Sequence, residues 1–167
     1  CYASLGYSTT VLNSNHSVSY NHFQRGTMDK TSQYIVPECI NFYENILGGL
    51  DRIQEYVRPL LKRAVEMLER EWGTKRLEVP EEMLSPFIRV IKLPDLPGFS
   101  LSSVDEHDWE KKVTFALNKL MLEKYNVVAF IRIIGKEIVC RISCFVTNEF
   151  SDYVALKDAV LKIKNGE

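Results

Sequence analysis

The sequence has no long apolar run. No window approaches the ~20 consecutive apolar residues that a membrane-spanning helix needs, so a membrane is not an expected partner. It also has almost no net charge. Its 21 basic and 22 acidic residues leave a formal charge of −1, so there is no global positive field to hold a nucleic-acid backbone, and nucleic acid is not an expected partner either. GxGxxG, GxSxG and GxxxxGK followed by Ser or Thr are all absent, which leaves dinucleotide-binding, hydrolase-elbow and P-loop readings without support. The four cysteines, Cys1, Cys39, Cys140 and Cys144, form no CxxC pair and are expected to be reduced and buried. His16, His22 and His107 show neither HxH nor HxxxH spacing, so no metal site is expected. The chain opens on Cys1 without a basic, apolar signal segment. It therefore reads as part of a longer protein, soluble and cytoplasmic.

What is present is an ordinary folded composition, 46% hydrophobic and 26% charged over 167 residues, enough for one core plus an arm. Residues 1–30 are rich in Ser, Thr, Asn and Tyr without steady periodicity, and the rings of Tyr2, Tyr7, Tyr20 and Phe23 need something to pack on, so they read as an ordered arm lying on another surface. Residues 31–167 read as the domain. From Thr31 the spacing predicts a helix with Tyr34, Ile35, Cys39, Phe42, Tyr43 and Ile46 as a buried stripe, closed by Gly48-Gly49. A second helix follows as far as Trp72-Gly73, with Leu50, Ile53, Val57, Leu61, Ala64, Val65 and Leu68 inward and a bend at Pro59. Strands are expected at Arg76–Val79 and Phe87–Leu93, and a helix over Asp105–Tyr125. Val127–Ile134 and Glu137–Val146, joined by Gly135-Lys136, form the clearest hairpin signal. A last helix runs from Ser151 to about Lys164, with Ser151 or Asp152 as N-cap. The fold class is α+β in two layers, helices packed on a small, mostly antiparallel sheet.

Two places could carry chemistry. Arg141 stands in the run Ile138-Val139-Cys140-Arg141-Ile142-Ser143-Cys144, where alternation puts Cys140, Ile142 and Cys144 on one face and Val139, Arg141 and Ser143 on the other. Such a guanidinium is either an edge arginine paired with a local carboxylate or a bidentate clamp for a substrate carboxylate. Arg25-Gly26-Thr27-Met28-Asp29 is a glycine-containing turn before a helix, suited to a phosphate or to simple capping. Asn15-His16-Ser17 fits a glycosylation acceptor, a triplet common by chance.

Taken in order, Ser4-Leu5-Gly6-Tyr7, Phe23-Gln24-Arg25-Gly26-Thr27-Met28-Asp29, Tyr34–Phe42 with Pro37, and Val139-Cys140-Arg141-Ile142-Ser143 followed by Val146-Thr147-Asn148 and the last helix resemble a known arrangement. It is that of the C-terminal portion of class V aminotransferase-fold enzymes, the isopenicillin N epimerase-like proteins and their cysteine desulfurase relatives. The resemblance covers nearly the whole chain. It implies the small C-terminal domain of the fold type I transferase fold, with pyridoxal 5'-phosphate as cofactor, an amino acid as substrate and a homodimer as the assembly. Thr27 and Gly26 then match the cofactor-phosphate contact made across the subunit boundary, and Arg141 matches the arginine that grips the substrate's α-carboxylate. The lysine that bonds the cofactor is implied to precede residue 1, so no catalytic residue is expected within the chain. Leu5 and Met28 depart from the pattern, standing where relatives carry His and Arg. The rival reading is a non-catalytic dimerising α+β interaction domain. A small-molecule regulatory domain is a third, supported only by the fold type.

Overall fold

The computed structural model describes residues 31–167, and the chain divides into two units, the boundary falling between Phe42 and Tyr43 in sequence. The readings placed on the arm, on Gly26 and Thr27, and on the first two motifs lie outside the described residues. In the first unit, helix α1 (Thr31–Asn41) carries Pro37 and has no buried residue. The stripe expected to be buried is exposed, with Tyr34 at 78% and, in the π-helical stretch Phe42–Ile46 that follows, Ile46 at 69%. Cys39 is exposed with it. Helical spacing determines which side chains share a face, but only a second surface can cover that face.

The second unit is built on α2 (Gly49–Trp72), which follows Gly48-Gly49 as expected. Ile53, Val57, Leu61, Ala64, Val65, Leu68 and Trp72 make its buried stripe, while Leu50 stays exposed. The helix runs through Pro59, which lies on the exposed side, where water can satisfy the carbonyl that proline leaves without a donor. Strands β1 (Ile88–Lys92), β2 (Phe130–Ile134) and β3 (Glu137–Ser143) form an antiparallel sheet of order β1-β3-β2. Helices α3 (Ala116–Tyr125) and α4 (Phe150–Lys164) complete the α+β fold. One face of the sheet, through Ile91, Cys140, Ile142 and Ile131, joins α2 and α4 in a single hydrophobic core. Each such fully buried aliphatic side chain contributes about 1.5–3 kcal/mol relative to exposure.

Three local expectations are corrected. Arg76–Val79 is not a strand: Arg76 alone bridges Ile91, Leu77 N–H donates to the Val90 carbonyl (2.8 Å), and Pro80 with the 3₁₀ turn Glu81–Met83 turns the chain away. Asp105–Tyr125 is not one helix but a 3₁₀ turn (Glu106–Asp108), a π-helical stretch (Glu110–Phe115) and then α3. The wider turn places neighbouring Val113 and Thr114 both inward, and the Thr114 hydroxyl donates to the Trp109 carbonyl five residues back (3.4 Å). The N-cap of α4 is Glu149 rather than Ser151 or Asp152. Asp152 instead occupies the third helical position, where its carboxylate accepts the Glu149 N–H (3.0 Å) in a capping box.

Both sheet edges are covered. Along β1 lies the segment around Arg76. Along β2 lies α3, whose Asn118 uses both ends of its amide on one residue: Nδ2 donates to the Ile131 carbonyl and Oδ1 accepts the Ile131 N–H, each at 3.2 Å. A side-chain amide thus stands in for the missing neighbouring strand. Replacing Asn118 with Leu leaves both backbone groups of Ile131 unsatisfied, and the urea midpoint should fall by the equivalent of about 1–3 kcal/mol with an unchanged slope.

Arg76 is also the anchor after α2. Glu69 accepts its Nε (2.9 Å), its Nη2 (2.7 Å) and its backbone N–H (2.9 Å). Burial pushes the Glu69 carboxyl up, but the Arg76 hydrogen bonds and charge outweigh it and hold the group below its ordinary 4.5. A depressed carboxyl stabilises the fold above its unfolded value and loses that contribution as pH falls through the folded one. Wild type should therefore lose stability below about pH 4.5 more steeply than Glu69→Gln, as measured by thermal melts across that range.

Candidate functional site

Arg141 is placed by the hairpin. Gly135, at φ +61°, lets the chain reverse in two residues, and the resulting pairing of Ile134 with Glu137 sets Phe130 opposite Arg141. On the other side β1 sets Val90 opposite Arg141. β3 is the central strand, so Arg141 is not an edge residue. Cys140, Ile142 and Cys144 are buried as the alternation requires, while Arg141 and Ser143 are exposed. Val139 breaks the pattern and is buried on the Arg141 face.

The guanidinium of Arg141 lies 4.0 Å from the centre of the Phe130 ring, and that of Arg132 lies 4.4 Å from the same centre. Among the described residues Arg141 makes no ion pair, so the local-carboxylate reading is not what the geometry gives. A stacked, solvent-facing guanidinium keeps its donor edge free for a planar anion, and the stacking itself contributes only about 0.5–1 kcal/mol.

Beside Arg141 opens a cleft of about 500 Å3, walled by residues 126–130 before and within β2, by Arg141 and Ser143, and by Asn148, Asp152 and Tyr153 at the start of α4. Its far wall is held together by hydrogen bonds. Asn148 accepts the Phe145 N–H through Oδ1 (3.0 Å) and donates through Nδ2 to Asp152 (3.2 Å), while its carbonyl accepts the Tyr56 hydroxyl of α2 (2.7 Å). The Tyr153 hydroxyl donates to the Ser143 carbonyl (3.0 Å), tying α4 to the end of β3. Burial pushes the Tyr153 phenol up, so it stays protonated as a donor. The buried Cys140 thiol is likewise pushed up to about 12, and Cys144 also rises through burial. Neither thiol is a nucleophile at neutral pH.

Of the residues singled out from the sequence, Arg141 and Asn148 meet at this cleft, whereas Gly26 and Thr27 lie outside the described residues. Phe130 and Tyr153 were missed as site residues. Phe130 was recoverable from the turn, since a two-residue hairpin loop fixes the pairing four residues away. Tyr153 gave no such signal, because an inward tyrosine on α4 reads as core.

The domain that carries the cleft has the α+β architecture expected of the small domain of the transferase fold. In sequence the chain is similar to two plant proteins. It is 31% identical over 141 residues, 81% of this chain, to "Probable L-cysteine desulfhydrase, chloroplastic" of Arabidopsis thaliana. It is 29% identical over 149 residues, 83% of this chain, to "Putative L-cysteine desulfhydrase 1" of Oryza sativa subsp. japonica. The chain spans less than a third of these relatives, 28% and 30% of their lengths. No family model matches it. No helix among the described residues is long and apolar enough to cross a membrane.

The contrast between Arg141 and Asn148 is measurable as stability. Arg141→Ala removes one exposed stacking contact and should shift the unfolding free energy by less than about 1 kcal/mol. Asn148→Ala leaves the Phe145 N–H without its side-chain acceptor and should cost about 1–3 kcal/mol in the same urea titration.

Proposed function

We propose that this chain is the substrate-gripping C-terminal domain of a pyridoxal-phosphate-dependent enzyme acting on an amino acid, with C–S cleavage of L-cysteine as its reaction. The observation that carries this reading is Arg141. Its guanidinium is exposed on a central strand, stacked on Phe130 and without an ion pair among the described residues, at the mouth of a cleft. The likeness to proteins named L-cysteine desulfhydrase favours a lyase over an epimerase.

When bound, the cofactor withdraws electron density from the substrate's α-carbon, which is what makes loss of a β-thiol feasible. Arg141 takes both carboxylate oxygens in its planar fork, and fixing the carboxylate fixes which bond to the α-carbon is held for cleavage. Phe130 holds the guanidinium in place, so less side-chain entropy is lost when the anion arrives. Thr27 and Gly26, outside the described residues, are the proposed contacts to the cofactor's phosphate in a homodimer.

The test uses full-length protein with pyridoxal phosphate, scoring sulfide release from L-cysteine and the visible absorbance of the bound cofactor. Arg141→Ala should raise KM about 100-fold, equivalent to ~2.7 kcal/mol of lost carboxylate binding, with cofactor absorbance retained. Arg141→Lys, which keeps the charge but not the fork, should fall between the two. An unchanged KM would remove the carboxylate role from Arg141. A folded wild type whose absorbance responds to no amino acid would leave the non-catalytic interaction domain in its place. A full-length protein that binds cofactor yet is monomeric by light scattering would overturn the homodimer.

A further inference from the structure

A second concentration of cations lies away from the Arg141 cleft. Between α2, the loop leading into β1 and β1 itself is a hollow of about 410 Å3, lined by Arg58, Lys62, Arg76 and Arg89, with Glu81 as the one carboxylate residue on its wall. The chain as a whole has a net charge of −1, so this excess is local. It is also built from two sides. Arg58 and Lys62 stand one turn apart on α2. Opposite them, Arg89 comes from β1 and Arg76 from the segment that bridges its edge.

These charges are unevenly neutralised. Arg76 is held by Glu69 at 2.7 Å, and Lys62 has exposed Glu66 at 4.0 Å. Arg58 and Arg89 have only neutral partners: Arg58 donates to the Gln54 side-chain oxygen, and Arg89 to the carbonyls of Ser85 and, at 2.7 Å, Ile88. Neither has a carboxylate partner among the described residues. Arg89 is partly buried, and burial and the nearby Arg76 charge both pull its pKa below the ordinary 12.5. Like charges gathered around a concave, partly desolvated wall are relieved by an anion.

We propose that this hollow binds a small polyvalent oxyanion of the diphosphate class. Cations on two facing walls suit a ligand with at least two charged groups, and guanidinium forks match phosphate oxygens. A neighbouring hollow of about 680 Å3 shares Arg76, Leu84 and Arg89 but is also walled by Glu66, Glu69 and Glu78, so it leaves room for an uncharged organic group attached to the diphosphate and not for a further anionic one.

The experiment is calorimetric titration of pyrophosphate and, separately, ADP into the full-length protein at ~0.15 M salt, where weak surface attraction is screened. Pyridoxal phosphate is kept in excess, so that any phosphate site it uses is filled. Pyrophosphate should bind, and binding should weaken by about tenfold or more in Arg89→Gln and in the double variant Arg58→Gln/Lys62→Gln. Lys119→Gln/Lys164→Gln, on α3 and α4, should bind as wild type does. Arg58 and Lys62 are exposed on α2, so the double variant keeps the test open even where Arg89→Gln fails to fold. ADP binding more tightly than pyrophosphate would support a nucleotide ligand, and equal binding would support recognition of the diphosphate alone. No binding of either, or binding unaltered by both sets of substitutions, would overturn the proposal.

Discussion

Gly135 turns the chain from β2 into β3 in two residues, and the pairing so fixed decides which side chains of the sheet meet helices and which meet water. A slip of one residue would exchange the two faces, carrying Arg141 into the core and Cys140 and Ile142 out of it. The register is held against such a slip from three directions. The turn fixes one end, β1 pairs along the other side of β3, and the apolar face locks onto α2 and α4. Asn118 adds a further restraint, because its amide fits only a backbone position whose N–H and C=O both point outward.

With the register set, the two faces have different work. The core face is closed by helices and carries the hydrophobic stabilisation of the unit. The opposite face keeps Arg141, Arg132 and Phe130 at the surface. The connection from β3 into α4 is where the faces communicate. Asn148 ties the strand end, the helix start and α2 through its side chain and carbonyl, so the wall of the Arg141 cleft is hydrogen-bonded to the core elements behind it. The carboxylate grip proposed for Arg141 would gain from such backing, since a guanidinium on a mobile loop would lose much of its binding energy to ordering.

Charge follows a similar division. Ion pairs such as Glu69 with Arg76, which is part-buried, and Lys92 with Glu137, which is exposed, are close, at 2.7 and 2.6 Å. Arg141, Arg58 and Arg89, by contrast, have no carboxylate partner among the described residues. A nearly neutral chain can therefore still present separate positive sites, because a field at a few ångströms depends on neighbours rather than on the total.

Much was legible in the sequence because period and turn chemistry act locally. Most of the α2 stripe, the hairpin and the core face of β3 follow from spacing, and the same alternation puts Arg141 on the opposite face. The motif order that pointed to a transferase-type small domain is likewise a property of the chain alone. What spacing could not supply was the partner surface. Tyr34 and Ile35 have the spacing of a buried face and are exposed, the Glu110–Phe115 stretch winds wider than an α-helix, and Arg76–Val79 bridges β1 at one residue only. The sequence by itself determined which residues share a face and how β2 and β3 pair. Only the tertiary structure decided that β3 is central, that Arg141 stacks on Phe130 without a carboxylate, and that four cations from α2, the Arg76 segment and β1 share one hollow. Those are contacts between residues distant in the chain, and their free energy depends on what lies across the gap rather than on what lies next in sequence.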